Sequence, residues 1–144
     1  MVEIYTDASV ANGRAVATCF ILTDSNFIGC KTSEFERVET SLEGELEGAI
    51  AAIEYAQEIL PLYNCTLYSD SISLIRLTQT NLKKSKNKQA VMHRNRLSRL
   101  QNLLRNHSIK LELIKGHSMK HNPNKVVDLI SNSILKYSGR SGYD

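Results

Sequence analysis

Four acidic residues occupy positions where a carboxylate needs a partner. Asp7 closes a strand-like run, Asp70 closes another, Glu45 opens a helical stretch, and Asp128 lies one turn into a later helical stretch among Val127, Leu129 and Ile130. In an open α/β sheet, ligands gather where strands end and helices begin, so four acids from four elements can meet in one place. Packed together they repel, and such a cluster therefore requires cations. Ligands that are all oxygen, with no cysteine or neighbouring histidine, select Mg²⁺ or Mn²⁺. Two such ions roughly 3.5–4 Å apart can activate a water and stabilise the leaving oxygen of a phosphodiester. Taken singly, Asp7 and Asp70 also suit turns or caps, Asp128 suits an ordinary first helical turn, and His117 suits a surface loop. Only the joint pattern points to chemistry.

Glu45 is singled out by the helix that carries it. Over residues 43–60, at about 100° per residue, Glu43, Glu47, Glu54 and Glu58 fall in one arc, and Leu46, Ala49, Ala52, Ile53, Ala56, Ile59 and Leu60 fill the opposite one. Glu45 projects at the angle of Ala49, Ala52 and Ala56, at the top of the apolar face. A carboxylate there is costly unless something cationic meets it.

The elements that must position these acids follow from the rest of the chain. Residues 2–7 alternate and are rich in β-formers, predicting a strand that ends at Asp7, then a loop over 8–13 with Asn12-Gly13 as its turn. Residues 14–22 read as a second strand, Asp24-Ser25-Asn26 as a turn, and residues 27–38 as a less apolar strand suited to a sheet edge. Short turns between three strands imply an antiparallel meander. Thr40 or Ser41 can cap the helix, with Glu43 or Gly44 near its third position, and Pro61 ends it.

Residues 64–70 form a compact fourth strand, and Asp70-Ser71 can cap a helix over 72–82. Beyond the basic connection 83–88, an apolar stripe of Met92, Leu97, Leu100, Leu103 and Leu104 marks a further amphipathic helix. Residues 109–115 alternate as a fifth strand, a loop follows over 116–124, and a last helix covers 125–137. Strand and helix in alternation point to parallel pairing in this half. The expectation is an α/β fold in one domain, residues 1–138, with 139–144 a frayed tail.

Composition narrows the class. The 144 residues are 42% hydrophobic, which suits a globular chain. No apolar run approaches 18 residues and the start has no basic-then-apolar leader, so neither membrane association nor a signal peptide is expected and a cytoplasmic location is. Cys19, Cys30 and Cys65 are odd in number, lack CxxC spacing and lie in β-like segments, which suits reduced core residues. The net charge of +3 hides an asymmetry, because residues 71–111 hold ten Lys or Arg and no acid. One positive section beside carboxylates elsewhere suggests a polyanion held by one part and processed by another.

Five motifs in order carry a resemblance: Tyr5-Thr6-Asp7-Ala8-Ser9, then Gly44-Glu45-Leu46 with Ala49 to Glu54, then Tyr68-Ser69-Asp70-Ser71, then Lys115-Gly116-His117-Ser118, and Asn124 to Asp128 with Leu129. Together they make the chain similar to type 1 ribonuclease H, of the retroviral-integrase-like superfamily. The resemblance implies an RNase H-like fold with a mixed five-stranded sheet and the order β-β-β-α-β-α-(α)-β-α, three antiparallel strands followed by parallel ones. It implies a two-metal endoribonuclease, using Mg²⁺ with Mn²⁺ as substitute, that cuts the RNA strand of RNA/DNA hybrids. Asp7, Glu45, Asp70 and Asp128 match the metal-binding acids, and His117 matches a mobile histidine that assists proton transfer.

Ser9, Asn12, Ser41 and Ser71 match positions beside the substrate, and Lys83, Lys84, Lys86 and Lys88 lie where some members carry a basic protrusion for the DNA strand. A monomer is expected. Three positions depart from the family pattern: Ala8 stands where members usually have glycine, Ser41 in place of an asparagine and Ile72 in place of a glutamine. Ser41 can still hydrogen-bond and Ile72 cannot. Two alternatives therefore stay open, a related nuclease for another duplex or branched nucleic acid, and a non-catalytic nucleic-acid-binding module on the same fold.

Overall fold

Two hairpins build the first half of the sheet. In the computed structural model, which describes residues 1–84 and 86–114, β1 (Val2–Ala11) and β2 (Arg14–Thr23) pair antiparallel from Val2↔Thr23 to Ala11↔Arg14. Asn12 and Gly13 close them with φ of 54° and 73°. Both values are left-handed, as the two-residue turn that matches strand twist requires. The strand expected to stop at Asp7 thus continues four residues further, and the expected loop 8–13 reduces to its turn. Ala8, Ser9, Val10 and Ala11 are small or β-branched enough to stay in the ladder, and a two-residue turn leaves no slack for a loop.

Asp24 and Ser25, also left-handed at φ 49° and 69°, turn β2 into β3 (Asn26–Glu36). β3 is the sheet edge, as its weaker hydrophobicity predicted.

The second half is parallel. The sheet order is β3-β2-β1-β4-β5, with β4 (Cys65–Ser69) parallel to β1 and β5 (Lys110–Leu113) parallel to β4. The helices are α1 (Ser41–Ile59), α2 (Ile72–Thr78), α3 (Lys88–Met92) and α4 (Arg94–Asn106). The expected mixed five-stranded sheet is therefore present. The expected last helix, with His117 and Asp128, lies outside the described residues.

α1 begins with a capping box, in which the Thr40 hydroxyl accepts from the Glu43 amide and the Glu43 carboxylate accepts from the Thr40 amide. Its apolar face covers β1 and β2, joining Ile4, Ile21, Leu46, Ile53, Leu67, Leu74, Leu97 and Leu100 in one core with all eight fully buried. Each such side chain contributes about 1.5–3 kcal/mol relative to exposure. The glutamate arc of α1 is not simply solvated. Arg96 of α4 pairs with Glu43 at 2.9 Å and Glu47 at 3.2 Å, and Arg99 pairs with Glu54.

Several expectations fail locally. The helix predicted over 72–82 ends at Thr78, where the chain turns through Thr80 and Asn81. The later amphipathic helix breaks at His93 into α3 and α4, so Met92 leaves the phase of the apolar stripe and stands exposed. Ile59, in the final turn of α1, extends past the core and is also exposed. Cys19 and Cys65 are buried free thiols, whereas Cys30 on the edge strand is exposed rather than in the core. No described helix is long and apolar enough to cross a membrane.

Candidate active site

Strand register sets the first two acids. β1 and β4 pair in parallel up to Tyr5↔Tyr68. Continued by two residues, that register places Asp7 level with Asp70, just where the β1–β4 ladder has ended. β1 itself stays paired with β2 through Asp7↔Thr18, so Asp7 is held rigidly inside a strand while Asp70 leads into α2. Asp7 is buried and Asp70 exposed.

The third acid depends on how closely α1 approaches the sheet. Gly44 and Gly48 flank Glu45, and a Cβ on Gly44 would lie 2.6 Å from Val10 Cγ2, one on Gly48 2.9 Å from the Ala17 Cβ. Glycine at both positions lets the first turns of α1 sit directly over Ala8 and Ala17. Glu45 is then carried to Asp7 and Ala8 within β1, buried with only 7% of its surface exposed. Carboxylate oxygens of Asp7, Glu45 and Asp70 lie within 4.8 Å of one another.

Hydrogen bonds hold these groups in place. The Ala8 amide donates to Asp7 Oδ1 and to Glu45 Oε1, each at 2.9 Å. The fully buried Ser69 hydroxyl donates to Glu45 Oε2 at 3.4 Å and accepts from the Ser71 amide at 3.1 Å. Burial, and after it the charge of Asp70, pushes the Glu45 carboxyl up to about 7, against the hydrogen bonds that favour ionisation. Three converging acids with two of them buried are a poor arrangement for a metal-free protein and a good one for a hard cation. The all-oxygen donor set fits Mg²⁺ or Mn²⁺. The cluster thus unites Asp7, Glu45 and Asp70 as the sequence predicted, while Asp128 and His117 fall outside the described residues.

The proposed substrate residues separate into groups. Ser41, the first residue of α1, and Ser71, the N-cap of α2, line one recess of about 550 Å³ beside Asp70. Thr40, Arg76 and Gln89 line it too, and sequence reasoning missed them. A signal existed for Arg76, which follows Ser73 by three positions on one helix flank. None existed for Gln89, which comes from a separate helix. Ser9 is half-buried on β1 and Asn12 exposed in the β1–β2 turn. Lys83, Lys84, Lys86 and Lys88 are exposed on and around the connection that leads into α3.

The RNase H family model matches residues 1–135. The chain belongs to the RNase H family. Within that family the motifs and mixed sheet agree with a type 1 ribonuclease H, and the chain is accordingly an enzyme of the ribonuclease H class. No curated protein matches the sequence to a significant degree. Solved structures share the fold at low identity. RNase H1 from the halophilic archaeon Halobacterium salinarum is 19% identical, covering 94% of this chain and 97% of its own, with a TM-score of 0.72. The N-terminal RNase H domain of rv2228c from Mycobacterium tuberculosis is 17% identical, covering 98% and 97%, with a TM-score of 0.73. LC11-RNase H1, isolated from compost and solved in complex with an RNA/DNA hybrid, is 16% identical, covering 92% and 95%, with a TM-score of 0.69.

Proposed function

We propose that this RNase H hydrolyses the RNA strand of RNA/DNA hybrids with divalent cations held by Asp7, Glu45, Asp70 and Asp128. The observation that carries the reading is the convergence of three of those carboxylates, from β1, α1 and the end of β4, within 4.8 Å. When bound, Mg²⁺ or Mn²⁺ supplies an acidified water and counter-charge for the phosphodiester. Asp7 on β1 and Asp70 just past β4, level with each other, would hold those ions, and Glu45 is fixed through both of its oxygens by Ala8 and Ser69. His117, in the loop that follows the fifth strand in sequence, is assigned the proton shuttle on the family resemblance.

Substrate contacts are assigned to the recess beside Asp70. Its hydroxyls from Thr40, Ser41 and Ser71, with the guanidinium of Arg76, suit sugar hydroxyls and phosphates. The complex of LC11-RNase H1 with a hybrid supports the substrate class. Ile72, half exposed and directly after the Ser71 cap, favours a second reading, in which another duplex is also accepted. An apolar side chain at that point offers no hydrogen bond to a sugar or base.

Digestion of end-labelled RNA/DNA hybrid, duplex RNA and branched DNA, with and without Mg²⁺ or Mn²⁺, tests both readings. Metal-dependent cleavage of the hybrid RNA strand supports the first. Comparable cleavage of duplex RNA or branched DNA supports the second, and no metal-dependent cleavage of any of the three rejects both.

A further inference from the structure

A groove of about 880 Å³ runs along α4, on the flank facing the segment from Thr78 to Lys83. It is distinct from the recess beside Asp70 and shares no lining residue with it among the described residues. The arginines of α4 divide between its two flanks. Arg96 and Arg99 are neutralised by the glutamates of α1. Arg94 and Arg105 line the groove instead, exposed and without an ion pair among the described residues, and Lys83 faces them from the opposite wall. Among the described residues no carboxylate lines the groove. A recess with one sign of charge focuses its field on a ligand of the other.

Geometry selects the class of anion. Arg94 and Arg105 are eleven positions apart on one helix, or roughly 16 Å at 1.5 Å per residue. A small anion cannot reach both ends, whereas a nucleic-acid strand carries a charge about every 3.4 Å along a duplex axis. Asn95, Ser98 and Asn102 add hydrogen-bonding groups between the two arginines. Gln101 fastens the opposite wall by donating to the carbonyls of Thr78 and Thr80 at 3.0 and 2.9 Å. Among the described residues no aromatic side chain lines the groove, which favours contact with the sugar–phosphate backbone over base stacking.

Orientation connects the groove to the carboxylates. Arg96 meets Glu43 at the start of α1 and Arg99 meets Glu54 further along, so the two helices run in the same direction. The Arg94 end of the groove therefore lies toward the end of the molecule that holds Glu45. We infer that the groove is a second nucleic-acid track, holding the phosphate backbone of a strand that continues beyond the segment at the carboxylates. The identity of the occupant rests on the proposed function. The track itself depends only on its charge and shape.

The test measures binding by fluorescence anisotropy in metal-free buffer, so its outcome is independent of cleavage. The probes are a blunt hybrid of about 8 base pairs, a blunt hybrid of about 18, and the short hybrid carrying a single-stranded DNA extension of about 10 nucleotides at either end, lengths chosen from the charge spacing of a strand. The unmutated 144-residue chain is expected to bind at least one extended probe about tenfold more tightly than the short one, with a steeper salt dependence. The Asn102→Glu/Arg105→Glu variant is expected to lose that advantage, its salt slope falling by about one per lost phosphate contact, with short-probe affinity unchanged.

The charge-neutral Arg94→Gln/Arg105→Gln variant is expected to shift in the same direction, and thermal unfolding checks that both variants fold. Which extended probe loses affinity tells a continuing duplex from a single-stranded extension. Equal loss on short and extended probes, or no loss on either, overturns the inference. Absence of cleavage with the extended-probe advantage intact overturns the proposed function alone.

Discussion

Asp7 and Asp70 stand level across two neighbouring parallel strands, two residues beyond the Tyr5↔Tyr68 pair that closes the β1–β4 ladder. The ladder stops before it reaches them, so the gap between the strands opens at the two carboxylates. One acid sits in a strand braced by β2 and the other at the start of a helix. Neither can withdraw from the other without disturbing its element, and the carboxyl pair is a fixed feature of the fold.

Glu45 makes the metal-free protein sensitive to pH. Its carboxyl titrates near 4.5 when unfolded and is pushed up to about 7 in the folded chain, by burial first and by Asp70 second. The folded state therefore binds the proton more tightly than the unfolded one. Its contribution to stability is fully present below about pH 4.5, is lost as pH rises toward 7, and is absent above that. At about 1.4 kcal/mol per unit, the loss is roughly 3 kcal/mol. Thermal unfolding in chelator is expected to show wild type falling relative to Glu45→Gln between pH 5 and 8, with saturating Mg²⁺ restoring wild type at pH 8. Parallel curves for the two proteins contradict the assignment.

Much of this was legible in the sequence. The helical phase of Glu45 marked it as a carboxylate on a buried face, and it is buried. The helix cap, narrowed to Thr40 or Ser41 and found at Thr40, and the Asn12-Gly13 turn were also readable, since both are local. What failed was what depends on partners. β1 continues past Asp7 because β2 pairs with it, and Met92 is exposed because the chain breaks at His93. The pairing of Arg96 and Arg99 with α1 was invisible in the run of basic residues, since charge composition does not say which flank of a helix meets a glutamate.

Gly48 is expected to be intolerant of a side chain. Replacing a helical glycine by alanine ordinarily gains about 1 kcal/mol, but here the new Cβ would lie 2.9 Å from that of Ala17, which the β2 backbone holds. Overpacking of this kind costs about 1–3 kcal/mol. Gly48→Ala should lower the unfolding free energy despite its helix propensity and reduce hybrid cleavage by displacing Glu45. Adding Ala17→Gly should recover part of both, as denaturant titration and initial rates would show. Gly48→Ala with raised stability and full activity speaks against the close-approach argument.

Ile72 bears on substrate choice. Ile72→Gln places a hydrogen-bonding side chain beside Asp70, and a single new hydrogen bond of about 1 kcal/mol corresponds to roughly fivefold. The ratio of kcat/KM for RNA/DNA hybrid to that for duplex RNA is expected to rise by about that factor. An unchanged ratio would show that residue 72 does not contact the substrate.

The central claim is that the carboxylates level across β1 and β4 cut nucleic acid together through shared divalent ions. Cleavage of an end-labelled RNA/DNA hybrid by wild type and by Asp70→Asn, each with Mg²⁺ and with chelator, tests it most directly. The account predicts cutting of the RNA strand by wild type with Mg²⁺ only, and a loss of at least about 100-fold in Asp70→Asn, or ~2.7 kcal/mol of barrier, with the fold and hybrid binding retained. Mg²⁺-dependent cleavage at the wild-type rate in Asp70→Asn would contradict it.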